Sequence, residues 1–158
     1  MFDQINGLPV HALVLHAAVV LVPMLALVSV IYAFVPRWRP YVGWAAALLA
    51  VAAPTTAWVA VKSGEHLYDR LVGQGMQGPV LGILANHMNF GRRTLWFTVA
   101  LGVATLVMLF FTVARTGRSL PRPAELVLAV VIVVLAAISA YYVFRTGDSG
   151  AHAVWGAA

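Results

Sequence analysis

The chain is too apolar for a soluble protein. Of its 158 residues, 62% are hydrophobic and 9% are charged, whereas soluble domains are nearer to half apolar with about a quarter of their residues charged. The composition therefore predicts a membrane protein, and the length predicts a single domain. The net charge of +5 lies in short gaps between apolar runs, which favours membrane topology over nucleic-acid binding. The sequence has no cysteine, which excludes disulfides, thiolate metal sites, iron–sulfur ligation and a cysteine nucleophile.

Four apolar segments are long enough to cross a bilayer. A hydrocarbon core of about 30 Å needs about 20 residues of helix. Alternation of period two is absent, and exposed backbone is not tolerated in lipid, so the segments are predicted to be helices. The sequence predicts an all-α, integral membrane four-helix bundle of up-down-up-down topology. Its helices are expected at about residues 8–35, 41–61, 79–114 (with the crossing at about 94–114) and 124–144.

The connections between these helices differ in length. Residues 36–40 form a tight link between the first two helices, and residues 115–123 link the last two. Residues 62–93, which are broken by glycines, predict a long loop with a short helix near residues 65–71. Pro79 is well placed to start the helix that continues into the third crossing. Internal repeats are not evident in the sequence.

The orientation in the membrane is assigned from the cations and the N-terminal tail. Five Lys or Arg residues lie on the side of the two short links and five lie on the opposite side, so the positive-inside rule does not decide. No Lys or Arg precedes Arg37 to hold the tail in the cytoplasm. We therefore expect a multi-pass protein of the plasma membrane, with both termini outside and the two arginine-rich links inside.

All the histidines are predicted to lie at one end of the bundle. With four crossings, the start of the first helix, the end of the second, the start of the third and the tail after the fourth share one side. These segments contain His11, His16, His66, His87 and His152. Counted from the opposite end at about 1.5 Å per residue, His11, His66 and His87 form one layer near ~40 Å. His16 lies one layer lower, at the edge of the hydrocarbon.

Such a cluster supports two chemistries, and the sequence leaves both open. Neutral imidazoles bind zinc or copper, with a carboxylate as a further ligand. For a metal ion, the candidate ligands are His11, His66, His87 and Glu65. Two imidazoles on facing helices can instead hold the iron of haem b from both sides, and the candidate axial pair is then His16 and His87. His11 and His16 are five residues apart, or about 140° around a helix, so they are not expected to bind one ion.

The leading prediction is a membrane protein whose histidine cluster binds haem b or a transition metal for electron transfer or metal handling. No independent catalytic activity is predicted, because no second catalytic group accompanies Glu65. The alternative is an accessory or structural subunit of a larger membrane complex, which has no cofactor and uses its histidines for local hydrogen bonds. A lone interfacial histidine is usually only a polar group among the headgroups, whereas an ionisable residue at membrane depth is more often functional.

The order of motifs along the chain resembles a known bacterial family. The family's first helix opens with a pattern like H-P-L-V-V-H-F-P-I-A-L, and residues 11–21 read HALVLHAAVVL. Its T-G-E-like turn after the second helix is similar to SGE at residues 63–65, and its H-x-x-x-G start of the third helix is similar to HMNFG at residues 87–91. A glycine-rich ending is similar to RTGDSGAHAVWG at residues 145–156.

This family is an uncharacterised set of small four-helix membrane proteins, and the resemblance covers nearly the whole chain. The chain departs from it at Ala12, Ala17 and Ala18, where the family often has prolines or Phe-Pro. The resemblance implies a four-helix domain in the bacterial inner membrane, with a bundle similar to those of small cytochromes b. Because some members are joined to iron–sulfur domains, it implies a redox membrane complex or an iron–sulfur protein as partner. The lipid bilayer is the other expected partner, a homo-oligomer is a further option, and nucleic acid is not expected.

Overall fold

The computed structural model contains four long helices and describes residues 4–5, 8–113 and 120–155. The helices are α1 (Val10–Phe34), α2 (Arg39–Gly73), α3 (Pro79–Val113) and α4 (Arg122–Trp155). Ahead of α1, two short strands, β1 (Gln4–Ile5) and β2 (Leu8–Pro9), pair antiparallel. A single turn of 3₁₀ helix at Pro36–Trp38 joins α1 to α2.

Each of the four helices contains a stretch long and apolar enough to cross a membrane. These stretches are Leu13–Phe34, Pro36–Gly73, Pro79–Thr112 and Arg122–His152. Each helix packs against its two neighbours, in the order α1, α2, α3, α4 and back to α1. The predicted all-α four-helix membrane bundle is confirmed, and its environment is therefore a lipid bilayer.

The second connection is much shorter than the sequence suggested. Instead of a loop over residues 62–93, α2 continues to Gly73 and α3 begins at Pro79. Bilayer thickness limits the length of a crossing but not that of a helix, and the 35 residues of α2 exceed the about 20 that a crossing needs. The turn between the helices contains Gly75 (φ 85°) and Gly78 (φ 96°). Glycine reaches this left-handed conformation without the steric penalty of a Cβ.

Small side chains let the helices of the core approach one another closely. The closest approach involves Gly102 of α3, where an ideal Cβ would lie 2.6 Å from the carbonyl oxygen of Ala50 in α2. Membrane helices commonly use such small residues at their interfaces, because lipid provides no hydrophobic force to drive them together. The large apolar side chains on the outer faces are exposed to lipid, for example Leu27, Trp44, Trp96, Phe110 and Phe144.

Polar contacts also cross the bundle between opposite helices. In the middle, Thr105 Oγ1 of α3 donates a hydrogen bond to Ser29 Oγ of α1 at 2.8 Å. At the arginine-rich end, the Arg39 guanidinium of α2 forms a salt bridge with Glu125 of α4. These contacts fix the level of each helix relative to the others, and so they fix which side chains meet at the histidine end.

Candidate functional site: a histidine pair at one end of the bundle

The imidazole of His11, in the first turn of α1, is held against α2. Its Nδ1–H donates to the carbonyl oxygen of Ala60 at 3.0 Å and to Ser63 Oγ at 3.1 Å. Ser63 Oγ donates in turn to the same carbonyl oxygen at 3.1 Å. The ring lies against Gly64, where an ideal Cβ would be 3.0 Å from His11 Cε1. One turn of α2 therefore supplies a carbonyl, a hydroxyl and a glycine surface to a single ring.

The imidazole of His87 in α3 is held against α4 in the same way. Its Nδ1–H donates to the carbonyl oxygen of Thr146 at 3.0 Å and to Ser149 Oγ at 3.1 Å. Ser149 Oγ donates to the Thr146 carbonyl at 3.1 Å. An ideal Cβ on Gly150 would lie 3.0 Å from His87 Cε1. In both places the residues that hold the ring are i, i+3 and i+4 of a helix, which share one face.

These hydrogen bonds determine which ring nitrogen carries the proton. A carbonyl oxygen can only accept, so Nδ1 of each neutral imidazole is the protonated nitrogen and Nε2 keeps its lone pair. The two nitrogens flank Cε1, the ring carbon nearest Gly64 or Gly150, and Nε2 is the nitrogen left to accept a ligand. Histidines that bind metals are usually arranged in this way, with the other N–H donated to a carbonyl or carboxylate.

Burial favours the neutral form of the ring that precedes the first membrane span. Desolvation lowers the pKa of the His11 imidazole below its ordinary value, and the neighbouring His87 lowers that pKa further. The hydrogen bond to the carbonyl of Ala60 acts in the opposite direction but is the smallest of the three effects. The lone pair on His11 Nε2 is therefore available at neutral pH.

The two imidazoles lie next to each other across a small cavity. Their ring centroids are 6.3 Å apart and their planes are perpendicular. The cavity has a volume of about 50 Å³, which is room for a water molecule or an ion. Its remaining wall is mostly apolar, and Met88 and Glu65 also line it.

The carboxylate of Glu65 is already paired with two cations. Lys62 Nζ lies 2.9 Å from Oε2, and Arg92 Nη2 lies 2.9 Å from Oε1. Both cations are more than half exposed, so this network lies at the rim of the cavity, where solvent and headgroups screen it. Its main effect is to compensate the charge of Glu65 and to join α2 to α3.

The structure brings together some of the residues predicted from the sequence and leaves others apart. His11 and His87 are adjacent, and Glu65 lies on the wall of their cavity. His16 and His66 are exposed and do not line that cavity. Over the described ranges, no group of three or more His, Asp or Glu side chains is arranged to hold a metal ion. The metal set and the haem pair therefore both stay predictions.

Several residues of this site were not identified from the sequence. The serine and glycine that hold each ring read as turn residues, and Met88 read as ordinary core. A signal was nevertheless present, because the pattern Ser-Gly-x-His occurs twice, at residues 63–66 and again at residues 149–152. Each copy lies within a helix, α2 or α4, that holds an earlier histidine.

A porphyrin does not fit between the two rings in this structure. Pockets that enclose a ligand of drug size measure about 300–1,000 Å³, whereas the cavity measures about 50 Å³. One turn further into the membrane, Gly91 is already in contact distance of Val61 and Thr146, since an ideal Cβ would lie 3.9 and 4.0 Å from their methyl groups. Binding haem here would require the helices to separate.

Comparison with known proteins places the chain in a family. Neither the comparison with curated proteins nor that with solved structures finds a match. A model of a family of predicted membrane proteins, DUF2231, matches residues 7–158, and this confirms the resemblance to an uncharacterised membrane family. The chain therefore belongs to DUF2231, a family of predicted membrane proteins.

Proposed function

We propose that this multi-pass protein of the bacterial inner membrane binds one copper ion between His11 and His87, for electron transfer or metal handling. The observation that carries the proposal is the pair of adjacent imidazoles, each anchored through Nδ1. The anchors occupy Nδ1 of each ring and leave both Nε2 lone pairs to accept a ligand. No reaction is assigned to the protein itself.

The spacing of the rings supports a bridging ion. Two metal–nitrogen bonds of about 2.0 Å on nearly opposite sides of the ion, together with the radii of the two five-membered rings, give a centroid separation of roughly 6–6.5 Å. The observed separation is 6.3 Å. The apolar wall of the cavity would limit the access of water to the ion, and such a shell influences the redox potential of a metal.

The available donors favour copper over zinc. Zinc sites in proteins are tetrahedral and usually take three or four protein ligands, and the described part of the chain offers no third histidine or free carboxylate beside the pair. Imidazole suits copper, and the thioether of a methionine is a soft ligand that selects Cu(I). Met88 supplies such a thioether to the wall of this cavity.

Titration of the purified protein with Cu(I), in competition with a chromophoric chelator, tests the proposal. We expect one copper per chain, and we expect His11→Ala and His87→Ala each to weaken binding by roughly 100-fold, since each removes one of two imidazole ligands. His152→Ala is the matched control, because His152 is exposed and bonded only within its own helix. His16→Ala and His66→Ala separate this pair from the other histidines predicted from the sequence.

Four results would overturn the copper proposal. The first is a protein that binds no copper, and the second is a control variant that weakens binding as much as the His11 variant does. The third is a Soret band in the purified protein that is lost in His16→Ala and His87→Ala, which would establish haem instead. The fourth is stoichiometric zinc by elemental analysis without copper binding, which would assign zinc to the site instead of copper.

The second candidate function is an accessory subunit without a cofactor. It is supported by the same hydrogen bonds, because His11 joins α1 to α2 and His87 joins α3 to α4 whether or not an ion is present. His11→Asn and His87→Asn distinguish the two functions, since the amide N–H of Asn can take the place of Nδ1–H but the side chain has no counterpart of the Nε2 lone pair. Copper binding that disappears at unchanged thermal stability favours the metal site, and a metal-free native protein that co-purifies with a larger complex favours the subunit.

A further inference from the structure

The two helical hairpins hold their histidines in the same way. His87 lies 76 residues after His11, and each residue that holds the ring lies 86 residues after its counterpart: Thr146 after Ala60, Ser149 after Ser63, and Gly150 after Gly64. The corresponding distances are equal, at 3.0 Å to the carbonyl, 3.1 Å to the hydroxyl and 3.0 Å to the ideal glycine Cβ. The correspondence therefore extends over both helices of each hairpin.

The pattern of burial repeats with the same two offsets. Buried residues of α1 have buried equivalents 76 positions later in α3. The pairs are Ala18/Thr94, Val22/Thr98, Leu25/Leu101, Ala26/Gly102, Ser29/Thr105, Tyr32/Met108 and Ala33/Leu109. Between α2 and α4 the offset is 86, and five of the six buried residues of α2 have buried equivalents. The residue types differ, so the repeat is visible in which helix positions are buried and not in sequence identity.

Contacts between equivalent residues mark a two-fold axis. In a two-fold arrangement, a residue touches its own equivalent only next to the axis. His11 meets His87 at one end of the bundle, Ser29 meets Thr105 in the middle, and Arg39 meets Glu125 at the other end. All of these pairs obey the offsets of 76 or 86. The axis therefore runs along the length of the bundle and hence along the membrane normal, as it does in membrane proteins built from parallel repeats.

We infer that the chain is a duplicated helical hairpin, α1–α2 followed by α3–α4, and that its histidine site is composite, with one equivalent ligand from each copy on the two-fold axis. Neither hairpin alone contains the site. Ser63 and Ser149 are equivalent positioning residues, because each accepts a hydrogen bond from Nδ1 of one imidazole. The copies have diverged at the rim, where Lys62 corresponds to Asp148 and Glu65 to Ala151.

The duplication is tested without any metal by exchanging equivalent residues on the axis. Arg39 also donates to the carbonyls of Tyr32 and Ala33, and the two-fold arrangement predicts that the equivalent carbonyls, of Met108 and Leu109, are within reach of a side chain at position 125. Arg39→Glu and Glu125→Arg should each lower the melting temperature of the detergent-solubilised protein. The double variant should recover most of the loss, because each exchanged side chain then has equivalent surroundings.

The matched control is the exchange Glu65→Arg with Arg92→Glu. These two residues form a salt bridge between helices but do not occupy equivalent positions, so their exchange measures what restored charge alone contributes. A double Arg39 and Glu125 variant that is as unstable as its two single variants combined would overturn the two-fold arrangement. Recovery no greater than in the control pair would overturn it as well.

The composite site rests on the proposed function and is tested by copper titration of matched variants. His11→Ala and His87→Ala should weaken Cu(I) binding equally, within about three-fold. Ser63→Ala and Ser149→Ala should each weaken it by roughly 10-fold at a nearly unchanged melting temperature, as outer-sphere partners of metal ligands do. Loss of affinity in only one member of a pair would overturn the equivalence. Successful charge exchange in a protein that binds no copper would retain the duplication and reject the proposed function.

Discussion

At the scale of single residues, the glycine beneath each imidazole is the most specific feature of the site. Residues i, i+3 and i+4 of a helix form one face, and here that face presents a carbonyl, a hydroxyl and a bare Cα. A Cβ on Gly64 or Gly150 would lie 3.0 Å from Cε1 of the ring, closer than ordinary van der Waals contact. A ring held on three sides keeps its Nε2 in one direction, and a two-ligand site depends on that direction.

Replacement of these glycines by alanine should lower the affinity for copper without lowering the stability of the bundle. In Gly64→Ala and Gly150→Ala, the new Cβ would lie 3.0 Å from a ring carbon, so the imidazole must shift by a few tenths of an ångström. We expect Cu(I) affinity to fall by roughly 10-fold. The new alanine favours the helix by about 0.5–1 kcal/mol relative to glycine, so the melting temperature should change little.

Gly147→Ala in α4 is the control for this pair, because nothing lies within 4 Å of its ideal Cβ. It should leave copper affinity unchanged. Equal losses of affinity in Gly147→Ala and Gly150→Ala would show that helix propensity, and not the position of the ring, controls binding.

The sequence predicts the height of each histidine along the bundle better than it predicts which way the side chain faces around the helix axis. Counting residues along straight helices correctly brings His11 and His87 to one layer, and their rings are adjacent. The direction around the helix axis depends on which face packs inward, and segments that are apolar on all sides do not reveal it. His16 was placed one layer lower and is exposed, and His66 was placed in the same layer and is also exposed.

At the scale of helices, α2 and α3 meet where a proline and a glycine face each other. Pro54 has no N–H, so the carbonyl of Ala50, four residues earlier, lacks its usual helical donor. The backbone of Gly102 lies against that carbonyl, and an ideal Cβ there would be 2.6 Å from its oxygen and 3.2 Å from Pro54 Cγ. A Cα–H of glycine can make a weak hydrogen bond in such a place.

Gly102→Ala should therefore destabilise the bundle. A Cβ at 2.6 Å from a backbone oxygen requires α2 and α3 to move apart, and forced overpacking of this kind costs about 1–3 kcal/mol. We expect a clear decrease of the melting temperature in detergent. Gly82→Ala is the control in the same helix, since its ideal Cβ meets nothing within 4 Å. A Gly102 variant as stable as this control would contradict the close approach of the two helices.

The number and topology of the helices could be predicted from hydropathy, but their ends could not. Bilayer thickness predicts an end of the second crossing near residue 61, yet α2 extends to Gly73. The polar residues beyond the membrane remain helical partly because Lys62 pairs with Glu65 one turn later, as pairs at i and i+3 do on helices. The duplication was also hidden, because equivalent core positions share burial but seldom share a residue type.

At the scale of the whole molecule, the two-fold axis explains why two equivalent imidazoles meet at one end of the bundle. Equivalent residues contact each other on the axis at three heights in the bundle, and their residue types determine the kind of contact. Ser29 and Thr105 form a hydrogen bond in the apolar core, and Arg39 and Glu125 form a salt bridge at the arginine-rich end. At the opposite end His11 and His87 are adjacent and line the same cavity. The same arrangement thus gives a structural contact at two levels and a candidate ligand pair at the third.

The side of the membrane on which this pair lies follows from the orientation of the chain, and we predict that it is the extracytoplasmic side. Residues 1–36 contain no Lys or Arg, and these cations are the residues that favour retention of a segment in the cytoplasm. The turn between α2 and α3 is at the histidine end, and Pro121 is exposed at the opposite end. The chain has no cysteine, so a single introduced cysteine can be labelled without background.

In spheroplasts, a membrane-impermeant maleimide should label Gln77→Cys directly and should label Pro121→Cys only after the membrane is permeabilised. Both positions are exposed, so a difference in labelling reports the side of the membrane and not burial. The reverse pattern would place the histidine pair in the cytoplasm, where the site would take its ion from the intracellular pool. That outcome would reject the orientation but not the bundle or the pair. Equal labelling of both positions before permeabilisation would instead indicate a mixed topology, as the equal numbers of cations on the two sides would allow.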